Sequence, residues 1–172
     1  RSTPKPSSAA SDVYKRQDIT ELVLDHLLPI KRESVTPAGV KTIEAYYKRA
    51  GETISEEDLP KLADAIFMLI NELINNSDDK DRQKEIISSF VASQYSRGLQ
   101  SGIISPVLYY IEPKYLLINS KVVDTVRFIS KEFMPQEVRL STLLEEYVDN
   151  NLKLKQFLEE LSKDCLLYTS PS

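Results

Sequence analysis

The sequence predicts an all-α fold, a compact bundle of about seven short to medium helices, and three observations carry that prediction. Apolar residues recur at helical spacing through most of residues 18–164. No segment of six or more residues alternates strictly between apolar and polar, and no Asn-Gly hairpin dipeptide occurs. Glycine is scarce, with four in 172 residues, as suits long uninterrupted helices.

Taken in order, Ile19, Leu22, Val23, Leu27 and Leu28 mark a first helix that Pro29 stops. Thr36-Pro37 reads as the N-cap and first-turn proline of a second, running through Tyr46 and Tyr47 and ended by Gly51. The run from Ser55 to Asp58 looks like a capping box, with acids where the helix dipole favours them. Behind it Leu59, Leu62, Ala63, Ile66, Phe67, Ile70, Leu73 and Ile74 form a wide apolar face. Asn75 to Asp79 is a polar break holding a fresh N-cap. A fourth helix then carries Ile86, Ile87, Phe90, Val91 and Tyr95 and ends near Gly98.

Ser101-Gly102 opens an apolar segment from Ile103 to Ile111, in which Pro106 suits a first turn better than an interior. Glu112-Pro113 ends it. Residues 115–118 are too short to type by periodicity, and an extended link or a helical turn both fit. Asn119 or Ser120 caps the next helix, with Val122, Val126, Ile129 and Phe133 inward. After Met134-Pro135, Leu143, Leu144, Tyr147 and Val148 mark one helix. Leu152, Leu154, Phe157, Leu158 and Leu161 mark the last.

The expected organisation is one helical domain over residues 18–164 between a tail at 1–17 and a tail at 165–172. The first tail is rich in Ser, Pro and Ala, and it has no apolar stretch of the kind a secretory signal needs. The segments Ser11 to Gln17 and Cys165 to Ser172 resemble translated sequencing adapter, with native linker as the competing reading. The first tail holds four basic residues and one acid. Without the tails, 18 basic and 25 acidic groups remain, a net of −7.

Composition excludes several classes of function. The single Cys165 cannot form an internal disulfide, which is compatible with a cytoplasmic setting. The longest uncharged stretch, residues 98–111, has 14 residues. That is short of the ~20 a membrane-spanning helix needs, so no membrane partner is expected. One histidine, His26, cannot build a His-based metal site, and beside Asp25 among leucines it reads as structural. Neither a P-loop nor a G-x-G-x-x-G fingerprint occurs. The pairs Glu145-Glu146 and Glu159-Glu160 are adjacent, so on a helix they point ~100° apart and read as solvated faces. No catalytic residue and no cofactor are expected.

Charge is unevenly spread. Residues 52–81 hold nine acids against Lys61 and Lys80, whereas residues 97–131 hold five basic groups against Glu112 and Asp124. Tyr95, Tyr109, Tyr110 and Tyr115 lie among the basic residues, and cations beside aromatics suit phosphate contacts with base stacking. Arg97, Lys114, Lys121 and Arg127 are the candidate phosphate contacts, and Tyr115 the candidate stacking group. Asn119-Ser120-Lys121, at a helix start, offers free N–H groups and a lysine to a phosphate. An ordinary mixed surface over a Tyr-rich core is the alternative, as is an N-cap beside a solvated lysine. A net of −7 confines any duplex-DNA contact to a local basic face.

Residues 98–121 carry the pattern Gly-Leu-Gln-Ser-Gly-Ile-Ile-Ser-Pro-Val-Leu, then Pro113, Tyr115, Leu117, Ile118, Asn119, Ser120 and Lys121. This block resembles the region preceding the AAA+ module of McrB-like restriction ATPases. The stretch from Leu143 to Leu161, with Tyr147, Asn150-Asn151-Leu152 and Lys155, is similar to the segment C-terminal to the block in that family. The resemblance implies a non-catalytic recognition domain, for a DNA target or for regulation, within a larger restriction or defence ATPase. On that reading nucleotide hydrolysis and oligomerisation belong to a module outside this chain. A helical protein–protein module docking through the acidic 52–81 region is the alternative function. Third is a similarity of residues 102–123 to helix-hairpin-helix DNA glycosylases, in which Asn119 stands where a catalytic Asp is needed.

Overall fold

The structure is a computed structural model that describes the backbone of residues 43–169 and the side chains of residues 45–163. The helix expected over Ile19 to Leu28, the Thr36-Pro37 start, His26 and the first tail all lie outside the described residues. Within them the fold is all-α as the sequence predicts, with six α-helices and no strand. These are α1 (Ile43–Arg49), α2 (Leu59–Asn75), α3 (Lys80–Val91), α4 (Ser101–Ile111), α5 (Ser120–Phe133) and α6 (Tyr147–Thr169). Three short 3-10 turns, Glu56–Asp58, Gln94–Ser96 and Leu144–Glu146, stand between them.

Two compact units divide the described residues, with the boundary inside α2. The first holds the described residues up to Asn71 together with Ser93–Gly98. Its α1 ends as the sequence predicts, at Gly51 in the left-handed region (φ 72°), where the absent side chain removes the steric penalty. The Ser55 start becomes a 3-10 turn rather than a helical cap: the Ser55 hydroxyl donates to Asp58 Oδ2 at 2.7 Å. Tyr47, buried, donates its hydroxyl to Gln94 O at 2.9 Å and so ties α1 to the second 3-10 turn. Gly98 also has a positive φ of 71°, and a Cβ there would run into the ring of Tyr46. Glycine is required at that position on both counts.

On α2 the buried stripe runs through Leu62, Ala63, Ile66, Leu69, Ile70 and Leu73. It differs from the expected face in that Leu69 faces inward and Phe67 does not, since Phe67 lies ~100° around the helix from Ile66.

The second unit comprises Glu72–Ala92 and the described residues from Leu99 on. Within the predicted polar break it is Asp79 that forms the N-cap, accepting from Arg82 N–H at 3.0 Å. α3 buries Ile86, Ile87 and Phe90 against the Leu144–Glu146 turn and α6. It stops at Val91, earlier than the sequence suggests, so Tyr95 belongs to a 3-10 turn. Pro106 sits inside α4 rather than in its first turn. There it removes the hydrogen bond to the Gly102 carbonyl, yet α4 runs on through it to Ile111.

Residues 112–119 form an irregular link with no strand, and Asn119 caps α5 by accepting from Val122 N–H at 3.0 Å. The inward face of α5 is also shorter than expected: Val126 is buried, whereas Phe133 at the helix end is 73 % exposed. Finally, the two helices expected across Val148 and Leu152 are one. α6 is continuous from Tyr147, and its backbone runs on to Thr169. Asn150 and Asn151 do not break it, because both amides bond outward to neighbouring links instead of competing for their own backbone. They occupy the inward face, and Leu152 and Leu158 turn outward.

Candidate recognition surface

The block from Gln100 to Ser120 folds around the irregular link, and buried side chains satisfy its backbone. Ser105, on α4, donates its hydroxyl to Ile118 O at 3.3 Å and accepts from Ile118 N–H at 2.9 Å. Asn151 Oδ1 accepts from Leu116 N–H at 2.9 Å, and the Tyr147 hydroxyl donates to Leu116 O at 2.9 Å. Tyr115 itself is buried, 2 % exposed, and donates its hydroxyl to the Leu73 carbonyl. Its ring stacks against Tyr147 with centroids 6.2 Å apart. Burial pushes the Tyr115 phenol up to about 12, with Glu112 and Asp78 adding to the effect, and burial raises Tyr147 further.

These positions correct the expectation for Tyr115. Neither face of its ring is open to a base, and it belongs to the core. The Asn119 carbonyl is taken up by the helix cap. Lys114 reaches Asp78 Oδ1 at 2.7 Å. Arg127 pairs with Asp124 at 3.0 Å one turn back on α5. Arg97 lies in the first unit and holds Glu52 in a two-pronged contact, Nε and Nη2 donating at 3.0 and 2.8 Å. That contact, chiefly its hydrogen bond, lowers the Glu52 carboxyl below its usual range. Lys121 stands exposed in the first turn of α5. The acidic 52–81 stretch is similarly engaged, for Glu52, Asp58, Glu72 and Asp78 each pair with a cation.

A different cluster forms where the chain leaves α5. Ser130 is fully buried, donates to Arg127 O at 3.2 Å and accepts from Val138 N–H at 2.8 Å. That pin folds the 134–140 link back along α5 and sets Arg139 beside Arg127. Together with Val123, Glu137 and Leu140 they line a pocket of about 360 Å³. Arg139 donates to Glu137 at 3.0 Å. This bond, with Lys131 and Arg127 nearby, holds the Glu137 carboxyl below its ordinary value. Lys131 and Arg139 were not among the sequence candidates. The one available signal was a buried-type serine near a polar link, and it does not reveal a fold-back.

The outward side of this unit is also apolar in places. Tyr109, Tyr110 and Ile111 end α4 with Tyr110 89 % exposed, and Phe128 on α5 is 62 % exposed. Among the described residues no helix is long and apolar enough to cross a membrane, and no group of three His, Cys, Asp or Glu could hold a metal ion. Compared with known proteins, the chain matches no family model, no curated protein and no solved structure.

Proposed function

We propose that this chain is a non-catalytic helical recognition module that contacts protein. The recognition role is the one the McrB-like resemblance implies, with protein rather than duplex DNA as the contacted molecule. The observation that carries the reading is the exposed run Tyr109-Tyr110-Ile111 at the end of α4, in the same unit as exposed Phe128 and Phe133. Adjacent large exposed apolar groups mark interaction surfaces, and tyrosine and phenylalanine are enriched at protein interfaces. The nucleic-acid reading loses its main supports at the same positions. Tyr115 is buried, Lys114 and Arg127 are ion-paired, and acids alternate with the cations on α5.

The test is panning of a displayed random-peptide library on the immobilised chain, with fluorescent duplex DNA titrated in parallel at low salt. The wild-type chain should enrich a peptide consensus. The double substitution Tyr110→Glu with Ile111→Glu, which alters only exposed side chains, should lose it while keeping the helical circular-dichroism spectrum. Salt-dependent DNA binding that survives this substitution, with no enriched peptide, overturns the proposal.

A further inference from the structure

The pocket between α5 and the 134–140 link carries the inference furthest, and it rests on the protein-contact reading above by naming the chemistry of the partner. Arg127 and Lys131 lie on the solvent side of α5, one helical turn apart. Arg139 reaches the same place from the link, held there by the Ser130–Val138 bond. Val123 and Leu140 supply apolar walls, and Phe128 stands exposed next to Arg127 in the same turn. The result is a small concavity with Arg127 and Arg139 at its rim and Lys131 close enough to act on Glu137.

Glu137 already shows what this rim accepts, since its carboxylate sits in the pocket against the Arg139 guanidinium. Both resident pairs, Arg127–Asp124 and Arg139–Glu137, are surface pairs with the arginine side chain 59 % and 80 % exposed. Such pairs hold weakly and exchange partners readily. An incoming carboxylate can therefore recruit two guanidinium forks, which match its planar geometry. We infer that this pocket docks an acidic peptide segment of a partner protein, carboxylates on Arg127, Lys131 and Arg139 and one apolar side chain against Val123 and Leu140. A duplex is the poorer fit. Its continuous phosphate rows would meet Asp124, Glu132 and Glu137 along with the cations, and a cavity of about 360 Å³ suits one or two side chains.

The experiment uses a fluorescein-labelled peptide of alternating Glu and Leu, read by anisotropy on the full chain. Three comparison probes are the same peptide with Ser for Leu, polyglutamate, and a duplex oligonucleotide. Saturable binding of the Glu/Leu peptide is expected, weaker for the Ser version and for polyglutamate. Arg139→Glu should weaken it about tenfold, a ~1.4 kcal/mol loss, whereas Lys163→Glu, the same change of charge on the exposed side of α6, should not. Equal loss in both variants, equal affinity for the Ser peptide, or tighter binding of the duplex overturns the inference. Failure here with a library consensus that still depends on Tyr110 leaves the protein-contact reading standing. Failure of both removes it.

Discussion

Two irregular links of the second unit, residues 112–119 and residues 134–143, each hold one proline and a few charges and play opposite roles. Each contains prolines or charges, and neither forms a strand or helix. The first is locked from below. Ser105, Tyr147 and Asn151 supply its backbone with partners, and Tyr115 and Ile118 are buried within it. The second is held at Val138 by Ser130, and near its end by the Asn150 amide on Ser141 O and the buried Ser101 hydroxyl, which donates to Thr142 O at 2.8 Å. On either side of Val138, Glu137 and Arg139 are exposed. The lesson is that a buried backbone without regular structure must take its hydrogen bonds from side chains. A link that carries a Tyr, an Asn and a Lys can then look like a binding loop while serving as core.

The deepest break in this contrast is Tyr147→Ala. It removes a buried ring, its stacking on Tyr115 and a side-chain donor to Leu116 O, so a loss of about 3–5 kcal/mol is expected. Urea unfolding monitored by far-ultraviolet circular dichroism reads it, and a loss below ~1 kcal/mol would show that the first link is not core. The same pair gives a pH signature. A Tyr115 phenol whose value rises on folding from 10.0 to about 12 contributes stability that is complete below pH 10 and lost as pH climbs through about 12. Tyrosinate absorbance should therefore show Tyr115 ionising only with alkaline unfolding.

Ser105→Ala comes next. Its hydroxyl is both donor and acceptor to Ile118, so the substitution leaves a buried N–H and C=O unpaired at a cost of about 1–3 kcal/mol. Hydrogen exchange at the Ile118 amide should accelerate with the fall in denaturation midpoint. Exchange unchanged at Ile118 would mean the serine is not what holds this link.

Much of the fold was legible because local chemistry decides it. The caps at Asp79 and Asn119, the stop at Gly51 and most of the α2 stripe follow from spacing and side-chain reach. The illegible part depends on partners distant in sequence. The apolar marks at Val148 and Leu152 read as two helices until the links that take up the Asn150 and Asn151 amides are in place. Tyr115 reads as a stacking platform until Tyr147 and the Leu73 carbonyl close over it. The site suffered most. Lys114 and Arg127 were found by charge alone, and charge does not disclose Asp78 thirty-six residues away. The Arg127–Lys131–Arg139 cluster exists only because Ser130 turns the chain back.

That dependence on Ser130 gives the smallest expected effect and the sharpest use of the comparison. Ser130→Ala removes the bond to the half-buried Val138 amide, worth about 0.5–1.5 kcal/mol, along with the local one to Arg127 O, and the surrounding link stays solvated. Global stability should fall less than in Ser105→Ala, although both substitutions delete one hydroxyl. The local consequence should be larger than the global one. With Val138 unpinned, Arg139 is no longer fixed beside Arg127, so the Val138 amide should exchange faster and the Glu/Leu peptide should bind more weakly while the helical spectrum is unchanged. If Ser130→Ala destabilised the fold as much as Ser105→Ala, the second link would be core like the first. The exposed cluster would then be a by-product of packing and not a surface the chain presents.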